Sequence, residues 1–179
     1  MDFQQCGVYY GTRRGTFEAG SRWHGRSESG RDRSFLLEGG VMGFAATESV
    51  IRSRFNTQWT ALRPTVQVVF DNAGDDSDAR VPENQAWVRL TILPGDSQQV
   101  EMGNTRRWRR VGRIVVQIFV PAASGTGLAL ELGDTVRDIF EGFTVSGVIF
   151  RATSLNRVGL DGAWMQYNAA TNFQADELR

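Results

Sequence analysis

The stretch TRRWRRVGRIVVQIFVP, Thr105 to Pro121, alternates over most of its length. Trp108, Ile114, Val116, Ile118 and Val120 fall on one side. Arg107, Arg109, Arg113 and Gln117 share the other with Val111, Val115 and Phe119. Successive side chains of a strand point to opposite faces. The segment therefore predicts a long β-strand with an apolar face from Ile114 onward and an arginine-rich start. Gly112 is a place where a bulge would change the assignment of that start.

The neighbouring segments follow the same pattern. QAWVRLTILP (85–94) puts Ala86, Val88, Leu90 and Ile92 on one face, with Trp87, Arg89, Thr91 and Leu93 on the other. SQQVEM (97–102) predicts a short strand and GNT (103–105) a turn, short enough for a hairpin into the arginine-rich strand. TVQVVF (65–70), FTVSGVIFRATS (143–154) and GAWMQYNAATNFQAD (162–176) predict further strands. The last two are joined by the Gly/Asn/Asp-rich turn LNRVGLDG (155–162). Between 71 and 84, DNAGDDSDARVPEN is an acidic loop of turn residues.

Two segments have helical period instead. Phe44, Ile51, Phe55, Trp59 and Leu62 fall on one stripe, and Pro64 stops that helix. In LALELGDTVRDIFEG the stripe is Leu128, Leu132, Val136, Ile139 and Phe140. Glu131, Asp134, Asp138 and Glu141 make its other side acidic, Arg137 is spaced to pair with Glu141, and Gly133 weakens the helix. The order is helix, several strands, helix, two strands. It predicts an α+β fold: a mixed or antiparallel sheet with a long β-hairpin and two helices packed on one face.

This domain is expected over 42–179, with no internal repeat. Residues 1–41 hold 8 of the 20 glycines and 6 of the 20 arginines and show no period, which predicts an N-terminal arm without regular structure. Glu38-Gly39-Gly40 before Met42 raises a second expectation. Its codons form a purine-rich run like a bacterial ribosome-binding site, so translation would start at Met42 and 1–41 would be upstream sequence.

Composition removes most catalytic chemistry. Every basic residue is arginine, the one cysteine is Cys6 and the one histidine is His24. From Met42 on there is no Cys, His or Lys, which excludes Ser-His-Asp, Cys-His and Schiff-base sites there. No phosphate-loop, dinucleotide or His-Glu-x-x-His motif occurs, so no cofactor and no enzyme activity are expected. No apolar run reaches transmembrane length. The formal net charge is zero, which argues modestly against a protein that lives on nucleic acid.

Two charged clusters remain. Asp71, Asp75, Asp76, Asp78 and Glu83 supply oxygen ligands in kind, but their spacing lacks the glycine and glutamate of a calcium loop; a solvated loop is the simpler expectation. Arg106, Arg107, Arg109 and Arg110 around Trp108 fit phosphate contacts with base stacking. Alternation sends Arg107 and Arg109 one way and Arg106 and Arg110 the other, so a single phosphate-tracking face would use half of them. The four aspartates of 71–78 and the four arginines of 106–110 also match as opposite patches in a head-to-tail contact between copies. Trp87, near Arg89, and Trp108 are the expected interface anchors.

The block WVRLTILPGDSQQVEMGNTRRWRRVGRIVVQIFVPAASGTG resembles the central block of tail terminator proteins of long-tailed bacteriophages. Its features are a strand ending in Leu-Pro, a hairpin with Glu and Gly, an arginine/aromatic strand reaching VQIFVP and a Gly-containing turn. The helix that follows and the closing DGAWMQYNAATNFQAD fit too, so the resemblance covers about 42–179. It implies a small α+β subunit of a ring, typically of six. The ring caps the full-length tail tube, stops tube-protein polymerisation and joins the tail to the neck proteins of the head, with DNA passing through the hole. The implied location is the head-proximal end of the virion's tail, after assembly in the host cytoplasm. Two rival readings stand beside it: another head-tail connector or neck completion protein, and a nucleic-acid-binding module built on Arg106–Arg110.

Overall fold

Four long strands dominate the architecture that the alternating segments produce. The computed structural model describes residues 43–71 and 81–179. Its elements are α1 (Phe44–Leu62), β1 (Gln67–Phe70), β2 (Trp87–Gln99), β3 (Arg107–Pro121), α2 (Gly127–Phe140), β4 (Thr144–Val145), β5 (Val148–Asp161) and β6 (Trp164–Leu178). The strands form one six-stranded sheet in the order β1-β2-β3-β6-β5-β4. β1 runs parallel to β2 and the other pairs are antiparallel. This is the expected mixed α+β sheet with two helices. The arm expected over 1–41 and the start expected at Met42 lie outside the described residues, as do Asp75, Asp76 and Asp78.

One sheet face carries the core. Ile51, Phe55 and Trp59 of α1 and Leu132, Val136, Ile139 and Phe140 of α2 are buried with Val88, Leu90, Ile114, Val116, Ile118 and Val120. From the other hairpin come Val148, Phe150, Tyr167, Ala169, Phe173 and Ala175. Each fully buried large apolar side chain contributes about 1.5–3 kcal/mol, which is what holds the two helices on this face. The stripes read from sequence hold except at both ends of α1 and the start of α2, where Phe44, Leu62 and Leu128 are exposed. Gly133 has a structural use. A Cβ there would lie 2.7 Å from Leu155 Cδ2, so the glycine lets α2 approach β5 closely.

Three local expectations are corrected. The short strand expected at 97–102 is not separate: β2 runs through Pro94 to Gln99, and the extra residues Gly95 and Asp96 bulge opposite Val111. The pairing of β1 ends at Leu90, so the missing N–H of Pro94 costs no ladder bond on that side. The bulge is therefore on β2, and the β3–β6 register is unbroken from Arg107↔Leu178 to Pro121↔Trp164. The turn expected over 155–162 is strand for most of its length. β5 absorbs Gly159 at the register shift between Arg157 and Gly159, and the tight turn is Gly162–Ala163, with Gly162 at φ +58. Finally, Arg137 pairs with Asp134 (2.9 Å) and Asp138 (3.4 Å) rather than Glu141. Glu141 has left helical geometry at the C-cap, and its carboxylate accepts the Thr153 backbone N–H at 2.8 Å.

Candidate interaction surface

Charge at the start of β3 is set by what β6 places beside it. Arg109 faces Asp176 in register, and its guanidinium forks onto the carboxylate: Nε to Oδ1 and Nη2 to Oδ2, both 3.0 Å. That hydrogen bonding, against some desolvation, holds the Asp176 carboxyl below its ordinary range; Gln174 Nε2 adds a bond at 3.2 Å and Arg107 a favourable charge. The same bond raises Arg109. Arg107 leans to Glu101 in the connecting loop (3.3 Å).

Arg110 turns to the helix side. It meets Glu177, whose side chain is fully buried and which also accepts Arg179 Nε at 2.7 Å. Its guanidinium carbon sits 4.2 Å from the centre of the Phe44 ring, so the start of α1 covers this pair. Arg106 differs. Its backbone exchanges two hydrogen bonds with Arg179 (2.6 and 2.9 Å), while its exposed side chain has no partner among the described residues.

Three of the four clustered arginines are thus matched by carboxylates within the chain. The carboxylates are Glu101, Asp176 and Glu177 rather than the acidic loop. Of that loop's aspartates Asp71 is described, half-buried just after β1. Trp108 is half-buried and borders a shallow depression with Gly103, Asn104, Arg106 and Arg179. Trp87 is 6% exposed, stacked on Phe119 at 4.0 Å and edge-on to Trp164 at 6.3 Å. Its apolar area is already covered within the chain. Arg89 donates to Gln117 Oε1 at 2.5 Å and lies 5.9 Å from the Phe119 ring centre. Trp87 pairs with Phe119 while Arg109 is ten residues back along β3, about 34 Å at strand rise. The expected interface residues therefore divide between the two ends of the sheet.

Between those ends lies a region that the clustering of charge in sequence does not reveal. On the face away from the helices, Arg113 Nε donates to Asn172 Oδ1 and Arg151 Nη2 to Gln174 Oε1, each at 3.0 Å. Arg113 was visible on the polar side of the alternation. Arg151 was not, because the register shift after Phe150 decides where it reaches. Both border a shallow depression of about 520 Å³ with Leu93, Val111, Asn172 and Gln174.

Among the described residues no group of three or more His, Cys, Asp or Glu is placed to hold a metal ion. No helix described is long and apolar enough to cross a membrane. No family model matches the chain, and no curated protein does. Solved structures do match. One of them aligns with a TM-score of 0.55 at 15% identity, over 77% of this chain and 96% of its own length. That likeness shows a shared fold.

Proposed function

We propose that this chain is a structural subunit of a phage tail: a tail terminator whose copies close into a ring, typically of six, on the end of the tail tube. The observation that carries the reading is the block Trp87–Gly127, whose resemblance to terminators is the most specific signal in the chain. Its residues form β2, β3 and the lead into α2. Among the described residues, both helices pack on one face of the sheet.

The mechanism is geometric. One side of the ring imitates a ring of tube protein and binds the last one added. The opposite side lacks the tube's self-complementary surface, so addition stops there and the neck protein docks. The hairpin end carrying Arg106 is assigned to a neighbouring subunit or ring. A separate nucleic-acid module using Arg106–Arg110 is the weaker reading, since Arg107, Arg109 and Arg110 already hold carboxylates.

Negative-stain microscopy of the purified protein mixed with tail tubes tests this. Rings of tube diameter at tube ends, and shorter tubes when the protein is present during polymerisation, are expected. Tubes that grow to the same length with bare ends would overturn it. Within that assay Arg106→Glu is a cleaner probe than charge reversal at Arg107 and Arg109, whose partners lie in the same chain. It should weaken ring formation at low salt, read by native mass spectrometry.

A further inference from the structure

Two kinds of side-chain partner recur among the described arginines. Arg52, Arg63, Arg107, Arg109, Arg110, Arg137 and Arg179 meet carboxylates. Arg89, Arg113 and Arg151 are each held by a neutral amide oxygen, from Gln117, Asn172 and Gln174. Such a bond fixes the direction of a guanidinium without cancelling its charge. All three heads gather on the sheet face that the helices leave open. The strand segments around them, 89–94, 111–117, 149–156 and 168–174, contain no carboxylate. The row of Arg89 and Gln117 continues across Asn168 and Asn156. Arg113 lies four residues back along β3, about 14 Å away.

We infer that this open face is a binding surface for the phosphate backbone of duplex DNA, with Arg113 and Arg151 as its main contacts and Arg89 extending it. Charge selects the partner: on this face Asp176 is matched by Arg109, while Arg89, Arg113 and Arg151 are left uncancelled, which favours a polyanion. Two further features favour duplex. Single-strand binders stack bases on exposed aromatic rings, whereas Trp87 and Phe119 here are buried against one another. The amides beside the arginines, Asn168 and Asn156 included, add neutral donors suited to phosphate oxygens and carry no base readout. In a ring, this assigns the face to the bore; the binding itself does not depend on ring formation, so the two readings fail separately.

The test is fluorescence anisotropy of the full chain with a labelled 25-base-pair duplex of mixed sequence, from 50 to 300 mM NaCl. Binding should weaken steeply with salt. Arg113→Gln with Arg151→Gln should cut the slope of log K against log salt by about 1.8 and weaken binding at 50 mM on the order of a hundredfold. Arg106→Gln should leave the slope unchanged, and Arg113→Lys with Arg151→Lys should keep most of it. Absence of binding by the unaltered protein at 50 mM overturns the inference, as does a glutamine pair that binds like it. So does a glutamine pair that keeps its DNA affinity and loses its rings, which would make the face a contact for an acidic protein surface. If the glutamine pair melts early, the lysine pair decides: binding retained supports the inference and binding lost overturns it.

Discussion

The two arginine-rich regions of the sheet differ in what the neighbouring strand offers them. At the hairpin end β6 presents Asp176 and Glu177, and the guanidiniums of Arg109 and Arg110 are consumed. Further along, β6 presents Asn172 to Arg113 of β3 and Gln174 to Arg151 of β5, and both arginines are steered but stay cationic. The denser cluster in sequence is thus the poorer in free charge. Local density of arginine says where charge is encoded; strand register says where it is left over.

Removing Glu177 should break this contrast most severely. Its carboxylate is fully buried, and Arg110, with 11% of its side chain exposed, has little water to turn to. Glu177→Gln leaves that cation uncompensated, at a cost of about 3 kcal/mol of stability. The check is the urea midpoint at neutral pH with an unchanged m-value. A loss under about 1 kcal/mol would mean that Arg110 escapes to solvent and that the hairpin end is not tied down through Glu177.

Gly112 lies between the two regions, paired with Pro94 next to the β2 bulge. A Cβ there would come within 2.6 Å of Phe173 Cε1 and 2.8 Å of the Leu93 carbonyl oxygen. The ring of Phe173 fills the space that a side chain would take. Gly112→Val should cost about 2 kcal/mol, in the range of overpacked sites. Because the bulge aligns both ends of the hairpin, its thermal melt should broaden as well as shift. A variant as stable as the parent would show that Phe173 has somewhere else to go.

The sequence carried the fold better than the surface. Period-two runs located β2 and β3, since one face of each is buried and a slip of one residue would expose it. Helical stripes gave Ile51, Phe55 and Trp59, and Leu132, Val136, Ile139 and Phe140. β5 was cut short because Gly159 and Gly162 both signal turns, yet one sits at a register shift and the other in the turn itself. The pairing of Arg109 with Asp176 spans 67 residues. No local pattern fixes such a register; it is set by the core face on the other side, where Ile114 meets Thr171 and Val116 meets Ala169. The sites that depended on cross-strand partners were for that reason the least legible.

Asp176→Asn is expected to act weakly and in a pH-dependent way. The folded carboxyl titrates below its unfolded value, so the stability it confers is fully present above the unfolded aspartate pKa, about 3.9. That stability is lost as pH falls through the lower folded value. The pair is partly exposed and screened, so the neutral-pH loss should be small beside that of Glu177→Gln. The gap in urea midpoint between parent and variant should stay constant from pH 7 to 5 and close below pH 4. A gap that persists undiminished at pH 2 would assign it to packing instead of charge.

Smallest of all should be the effect of Arg113→Gln with Arg151→Gln on stability. Both side chains are exposed, and their partners Asn172 and Gln174 keep water when the guanidiniums are removed. A change within about 0.5 kcal/mol is expected, as for surface positions without a buried partner. This near-zero result separates the two regions most sharply. Charge that the fold uses internally costs stability when removed; charge held by neutral amides can be removed without such a cost. A loss comparable to that of Glu177→Gln would mean that the open face supports the fold in its own right.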